Sequence, residues 1–444
     1  MRKREQQIFG INATILIVSI WLLMIFTFSP PEDWKQGMYG TQAIMSPSAI
    51  KALKLVSRSI CLGLLCFATF RLLREPRSGR MTIVFLPVLA FTFWIFASVY
   101  WSPLKTVSLQ QAISFTVSII LAFVFANSWR SCKDTSIYFM HLCGVLILIS
   151  TGLLFLYIFA PQYGALTKQA SGMFHSTTAG ASASLGLLCN LGMFGIYRFR
   201  WSIWLLLPSI AVHVPVLILA GNRFSILLTM LFAILIVLAF FRKHELAVFA
   251  MATAVIGVVY LTVDTKLKAP DFAVKKVETY TMQGQSKVQF RTISGRTEMW
   301  DVMWRSYQKS PWIGHGYFVT SETGRVFVWD EWGNWTAHNM YLQVLVTTGL
   351  IGAMLFLVGM FMPIMGLMTL DRTLTKQDQL LYRLLLLLIL WFASWGLLNS
   401  SVVGPTQPES VVFALVYGLG MRASYVAWVN REVSQAKFAT TATA

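Results

Sequence analysis

Charge is scarce in this sequence. Only 12% of its 444 residues are Asp, Glu, Lys or Arg, against about 25% in an ordinary soluble domain. So few charges cannot solvate the surface of a large water-soluble fold. Cysteine offers little chemistry either. Cys61, Cys66, Cys143 and Cys189 fall in apolar stretches and Cys132 in a short loop, which leaves no disulfide framework and no zinc-ligand spacing. Phosphate-binding P-loops, HExxH elements, aspartate pairs for a metal–nucleotide and nucleophile elbows are all missing. ATP use, a metal site and any other cofactor are therefore not expected. Ionisable residues are also rare near the centres of the apolar stretches, His213 being the main one, whereas a proton-coupled transporter normally carries more.

Apolar sequence is what the chain has in abundance, at 56% of residues. Runs of roughly 18 or more residues recur along nearly its whole length, each able to cross a ~30 Å hydrocarbon core. They are apolar all round, unlike the one-sided helices of a soluble bundle. The fold class expected is an all-α polytopic membrane protein with about 12 transmembrane helices and one large periplasmic loop. The candidate spans are 11–29, 49–70, 82–100, 107–127, 139–160, 179–197, 202–220, 224–241, 246–263, 339–368, 380–398 and 410–429. The span 49–70 opens with Lys51, Lys54 and Arg58, which must snorkel or face a cavity. Arg2, Lys3 and Arg4 precede the first apolar run, which lacks a small-residue cleavage site and reads as a span rather than a signal peptide.

The formal net charge of +18 would suggest nucleic acid in a soluble protein. Here it follows the positive-inside bias, and no nucleic-acid partner is expected. With the N-terminus inside, the inner loops hold Arg71, Arg74, Arg77, Arg80, Arg130, Lys133, Arg198, Arg200, Arg242, Lys243, Arg372 and Lys376. The short outer loops hold only Lys35, Lys105, Lys168 and Arg223. The expected topology is multi-pass in a bacterial inner membrane with both termini cytoplasmic. Residues 1–263 form the first nine spans, 264–338 a large periplasmic loop, 339–431 the last three spans, and 432–444 a flexible cytoplasmic tail. The large loop carries both signs of charge, with helical stretches and aromatics such as Glu298–Tyr307 and Trp329–Trp335. A connection that long is usually functional or disordered, and this one is expected to fold over the membrane surface.

Basic groups on the outer face are the remaining candidates for chemistry. Arg223, in Gly221-Asn222-Arg223-Phe224-Ser225, occupies a very short outer turn at headgroup depth; a snorkelling anchor would look the same. Arg296 follows Gly295, which reads as a break before a helix. That puts a cation in a first turn, where the helix dipole disfavours it; a plain surface arginine is the other reading. Pro311-Trp312-Ile313-Gly314-His315-Gly316-Tyr317 is a turn with two glycines, and alone says no more. His338-Asn339 precedes the apolar run from Met340, a place where histidine commonly caps or packs.

Taken in order, these segments resemble the bacterial O-antigen ligase and polysaccharide polymerase family. The resemblance runs through Arg223-Phe224-Ser225, Ser294-Gly295-Arg296 to Trp300, Pro311 to Gly316, and His338-Asn339-Met340-Tyr341-Leu342 with Gly349 and Gly352. Trp94, Ser98, Trp101-Ser102-Pro103, Ser108-Leu109 and Gly172-Met173-Phe174 also resemble members of it. His175-Ser176-Thr177 departs from a His-Lys-Asn-like element of many relatives. The resemblance implies a multi-helix glycosyltransferase of the lipid-phosphate-donor type, without a nucleotide-sugar domain. Its substrates would be an undecaprenyl-diphosphate-linked glycan donor and a glycan or lipid A core acceptor, held among membrane lipids. Arg223, Arg296 and His338 match the family's functional core.

Those residue types suit that chemistry. Breaking the anomeric bond leaves negative charge on the diphosphate, and guanidinium groups bind phosphate oxygens in a fork without a metal. Arg223 and Arg296 are the expected diphosphate ligands. His338 is the candidate base for the acceptor hydroxyl; neighbouring arginines would favour its neutral form. Glu298, Glu322, Asp330 and Glu331 are alternative bases, and His315, Asn339 and Glu298 are candidates for acceptor or supporting roles. With no covalent nucleophile in view, single displacement with inversion is expected. Trp329, Trp332 and Trp335 would stack on sugars or sit in an interfacial belt. Ligase, polymerase and protein O-oligosaccharyltransferase share this donor chemistry. A flippase or transporter predicts charges lining a central path, and a scaffold gives no reason for the three site residues to converge.

Overall fold

The computed structural model describes residues 2–25, 47–74, 76–128, 132–159, 176–197, 200–241, 296–318, 337–368, 375–404 and 406–442. Among them the chain is all-helical: α1 Arg2–Ile25, α2 Pro47–Leu73, α3 Pro76–Ser98, α4 Lys105–Ser128, α5 Cys132–Phe159, α6 Ser176–Tyr197, α7 Arg200–Leu219, α8 Arg223–Phe240, α9 Arg296–Lys309, α10 Met340–Met368, α11 Lys376–Trp395 and α12 Pro408–Ala442. Eight of these are long and apolar enough to cross a membrane, so the protein is a polytopic membrane protein. The apolar parts of α1 and α7, Gly10–Ile25 and Trp204–Leu219, are shorter, and α12 is not among the eight. The expected span 246–263 lies outside the described residues, as do Glu322, Asp330, Glu331 and the three loop tryptophans. In the large loop the helical stretch expected over 298–307 is α9, and α12 continues past the expected 431 boundary.

Helix α6 is the hub of the bundle. It packs against α5, α7, α8, α11 and α12 and is buried along nearly its whole length. Its sequence, Ser-Thr-Thr-Ala-Gly-Ala-Ser-Ala-Ser-Leu-Gly, is built from small residues. In lipid no hydrophobic force drives helices together, so close backbone approach and interhelical hydrogen bonds must do so. Both are present. A Cβ on Gly186 would meet the His213 ring at 2.3 Å, so α7 can lie this close only because position 186 has no side chain. The other side of that ring is tied to α5, with His213 Nδ1 2.7 Å from Ser150 Oγ. Thr229 Oγ1 donates to Ser184 Oγ at 2.7 Å and so joins α8 to α6. Thus His213, the main ionisable group near the centres of the apolar runs, is a packing and hydrogen-bonding group. Ser150→Ala is expected to lower the stability of the purified protein by about 1 kcal/mol, in line with interhelical hydrogen bonds in membranes. A thermal unfolding curve of the purified variant beside that of the wild type checks this.

A second assembly joins α3, α4, α10 and α12, and it explains the Pro311–Tyr317 turn. Helix α10 is broken at Gly349, whose φ of 68° and ψ of −173° are not helical. The break frees carbonyls that the turn collects: Gly316 N–H donates to Thr347 O at 2.9 Å and His315 N–H to Val346 O at 3.3 Å. In return Leu350 N–H donates to Pro311 O at 2.8 Å. Residues of α3 and the α3–α4 connection close the junction. Trp94 Nε1 donates to Thr348 O at 3.0 Å, Ser98 Oγ accepts from Tyr317 N at 2.9 Å, and Ser102 Oγ lies 2.7 Å from Ser108 Oγ beneath Gly316. Most of the early motif, Trp94 to Ser108, and the two-glycine turn are therefore one splice of irregular backbone. Irregular backbone at membrane depth is tolerated where its polar groups are satisfied inside protein.

Candidate active site

One end of the bundle gathers the starts of α6, α8, α9, α10 and α12 around the segment that links α11 to α12. Gly221 (φ 61°) turns the chain sharply between α7 and α8. Asn222 then caps α8, its side chain accepting from Ser225 N at 3.2 Å. That leaves Arg223 as the first helical residue. Arg296 is likewise the first residue of α9, as the Gly295 break suggested. Cations at two helix N-termini oppose two helix dipoles, so neither is placed there by local preference.

The two guanidinium groups lie within electrostatic reach of each other. Burial lowers the pKa of Arg296 from the ordinary arginine value, and the charge of Arg223 lowers it further. Arg296 Nη1 donates to the backbone oxygen of Leu398 at 3.0 Å, which anchors it against the α11–α12 segment. Arg223 reaches the same place through its neighbour: the Phe224 ring stacks on Trp395 with centroids 5.9 Å apart and planes 16° from parallel. Arginine stays protonated in proteins, so the pair concentrates two positive charges at two positive helix ends. Such a place favours an anion.

His338 belongs to the same cluster. The α10 start is fixed by Met340 N–H, which donates to Gly396 O at 2.7 Å, two residues before the carbonyl that holds Arg296. Asn339 caps α10, its Oδ1 accepting from Leu342 N at 3.0 Å. The capping task therefore falls to Asn339 and not to His338. Ala337 is pinned twice, by Gln343 Oε1 accepting from its N–H at 2.8 Å and by Trp300 Nε1 donating to its oxygen at 2.9 Å. His338 itself has a φ of 48°. A non-glycine residue in the left-handed region costs about 1–3 kcal/mol and persists only where its surroundings over-determine it. Pinned neighbours on both sides supply that constraint.

His315 separates from this cluster. His315 lies at the far end of α9, with Nε2 donating to Ser306 O at 2.8 Å. Ser306 is about 15 Å along α9 from Arg296 at 1.5 Å per residue. His315 therefore braces α9 against the α10 splice. Glu298 lies in the first turn of α9, but its side chain is outside the described set.

Sequence reasoning passed over two groups near the cluster. Arg58, noted only as a charge that must snorkel or face a cavity, turns inward and donates from Nη2 to Thr406 O at 3.3 Å. Glu409, in the first turn of α12, is fully buried. A lone acid just after Gly-Pro-Thr-Gln-Pro, at the edge of a span in a strongly basic chain, was the available signal.

Comparison with known families gives a match over part of the chain. Among curated proteins, none matches the chain. Residues 208–357 match the family described as O-antigen ligase, a stretch that runs from within α7 to within α10 and encloses Arg223, Arg296, His315 and His338. The two arginines at helix starts, the strained histidine and the family match thus fall on one stretch of sequence, and the chain carries an O-antigen ligase family domain.

Proposed function

We propose that this protein transfers a glycan from an undecaprenyl-diphosphate carrier to an acceptor hydroxyl at the periplasmic face of the inner membrane, as an O-antigen ligase or a polysaccharide polymerase. The family domain implies ligase- or polymerase-type glycan transfer with lipid-linked glycan substrates. The observation that carries the finer reading is the proximity of Arg223 to Arg296 at two helix N-termini. Two positive groups at two helix N-termini favour an anion, and the diphosphate of a lipid carrier is such an anion.

In the reaction the acceptor oxygen attacks the anomeric carbon from the side opposite the diphosphate. The new C–O bond forms as the bond to the phosphate oxygen breaks, so configuration inverts. The acceptor proton passes to the His338 imidazole, and the electron pair of the broken bond stays on the carrier diphosphate. Arg223 and Arg296 stabilise that growing charge with fork-shaped hydrogen bonds.

Deleting the gene should abolish the surface glycan and leave lipid-linked glycan behind. Single repeat units would indicate a polymerase and long lipid-linked chains a ligase. His338→Ala is expected to reach normal membrane levels yet restore less than about 1% of surface glycan, since a positioned acid–base group contributes roughly 10²–10⁴ in rate. Full restoration by His338→Ala, Arg223→Ala and Arg296→Ala alike would overturn the site.

A further inference from the structure

Arg58 and Glu409 present a problem that the transfer mechanism does not use. Glu409 is 0% exposed, and neither of its carboxylate oxygens accepts a hydrogen bond of good geometry. Its polar neighbours are the hydroxyls of Ser401 and Thr178. Arg58 Nε is likewise buried without an acceptor. The two charges approach the same short segment from different elements. Arg58 comes from α2 onto Thr406, while Glu409 follows three residues later, and Thr178 of α6 donates to Gln407 Oε1 between them at 2.9 Å. Burying a carboxylate that accepts no hydrogen bond of good geometry, beside a guanidinium that meets one carbonyl but leaves Nε without an acceptor, is unfavourable. A ligand that offers both donors and acceptors would remove both penalties.

The place is also adjacent to the arginine pair. Two residues beyond Thr178 on α6, a Cβ on Gly180 would lie 2.9 Å from Ser225 Oγ and 3.2 Å from Asn222 Cβ, the residues that flank Arg223. Ser401, beside Glu409, accepts from Trp395 Nε1 at 3.4 Å, and Trp395 stacks on Phe224. The α11–α12 segment therefore meets two arginines at two separate points, or faces, along its length: the Leu398 carbonyl holds Arg296, and the Thr406 carbonyl holds Arg58.

Charge separates the ligands of the two faces. The Arg223–Arg296 face is doubly positive and suits a diphosphate. At the Thr406–Glu409 stretch a positive group from α2 and a negative group in the first turn of α12 approach one segment, so an anion would meet Glu409 and a cation would meet Arg58. A neutral polyhydroxyl group suits it: sugar hydroxyls donate to carboxylate and amide oxygens and accept from a guanidinium N–H. We propose that Arg58, Thr178, Gln407 and Glu409 form a sugar-binding subsite beside the diphosphate site, one that recognises hydroxyls of the transferred or accepting glycan. This rests on the transferase reading for its meaning, but its test can fail separately.

The test uses the full chain in detergent or nanodiscs and two probes, with thermal stabilisation as the readout. One probe is the oligosaccharide released by mild acid from the cell's own lipid-linked glycan, free of phosphate. The other is inorganic pyrophosphate. Wild type should be stabilised saturably by each. Glu409→Gln and Arg58→Ala should weaken oligosaccharide binding at least tenfold and leave pyrophosphate binding intact. Arg223→Ala should do the reverse. Gln407→Ala and Thr178→Val, milder changes at the same face, should also weaken the oligosaccharide alone and serve if the charged variants fail to fold. Equal oligosaccharide binding by wild type and these variants, or none by wild type, overturns the subsite. If Glu409 and Arg58 simply pair with each other in another state of the protein, Glu409→Gln will lower stability without changing oligosaccharide affinity, which also overturns it. Pyrophosphate binding that ignores Arg223 and Arg296 counts against the transferase reading instead.

Discussion

Arg296→Ala should reduce glycan transfer by about 10²–10³, the cost of roughly 3–4 kcal/mol when one preorganised charge stabiliser is lost. The protein should still reach the membrane at normal levels. The reason lies in what Arg296 holds. Its fold contribution is one hydrogen bond to the Leu398 carbonyl, whereas α9 is docked by Met299 and Met303, buried against Ala337 and Val346, and by the Trp300 bond to Ala337. Losing one hydrogen bond from a charged donor costs about 1.5–3 kcal/mol, part of which is returned because the repulsion from Arg223 disappears. Arg296→Lys keeps the charge and loses the fork, so it should fall between wild type and Arg296→Ala. Measured rates of lipid-linked glycan consumption, normalised to protein in the membrane, provide the comparison. Near-normal transfer by Arg296→Ala would remove the diphosphate from this site.

Gly349→Ala should destabilise the fold far more than a methyl group added at an open glycine. Two penalties coincide. The φ of 68° at Gly349 lies in the left-handed region, which costs a residue with a Cβ about 1–2 kcal/mol. The added carbon would also lie 2.3 Å from the carbonyl carbon and oxygen of Trp312. Those are backbone atoms of the spliced turn and cannot rotate aside, so an overpacking cost of about 1–3 kcal/mol adds to the first. Opening this contact would also strain the hydrogen bonds of Leu350 to Pro311 and of Gly316 to Thr347. The expected result is a sharply lower yield of monodisperse protein and a thermal midpoint reduced by several degrees. Gly63→Ala is the control, because a Cβ there meets nothing within 4 Å and should leave both measures unchanged. A Gly349→Ala protein as stable as wild type would mean that the turn does not enforce the α10 break.

These two outcomes separate the motif residues into two kinds. Arg223, Arg296 and His338 converge around residues 395–398 from three helix starts. Trp94, Ser98, Ser102, Gly314, Gly316 and Gly349 instead make the splice that lets α9 and the turn after it sit on α10. The spacing of the turn was visible in the sequence, but its purpose was not. A glycine pair signals unusual φ values, and nothing local says that the partner is a broken helix beginning at residue 340.

The sequence by itself determined that this is a polytopic all-helical membrane protein, because length and hydrophobicity of a run are local quantities and the bilayer reads them locally. It also placed Arg296 correctly in the first turn of a helix, since Gly295 is a short-range signal, whereas Arg223, expected in the turn before its span, opens α8 under an Asn222 cap. The tertiary structure alone decided which polar residues meet. Arg58 and Thr406 are separated by 348 positions, and Thr178 and Gln407 by 229. In lipid the meeting of such groups is set by where small residues let helices approach, as α6 does with Gly180 against α8 and Gly186 against α7. That packing turned Glu409 from an ordinary acid at the edge of a span into a buried carboxylate beside a two-arginine site.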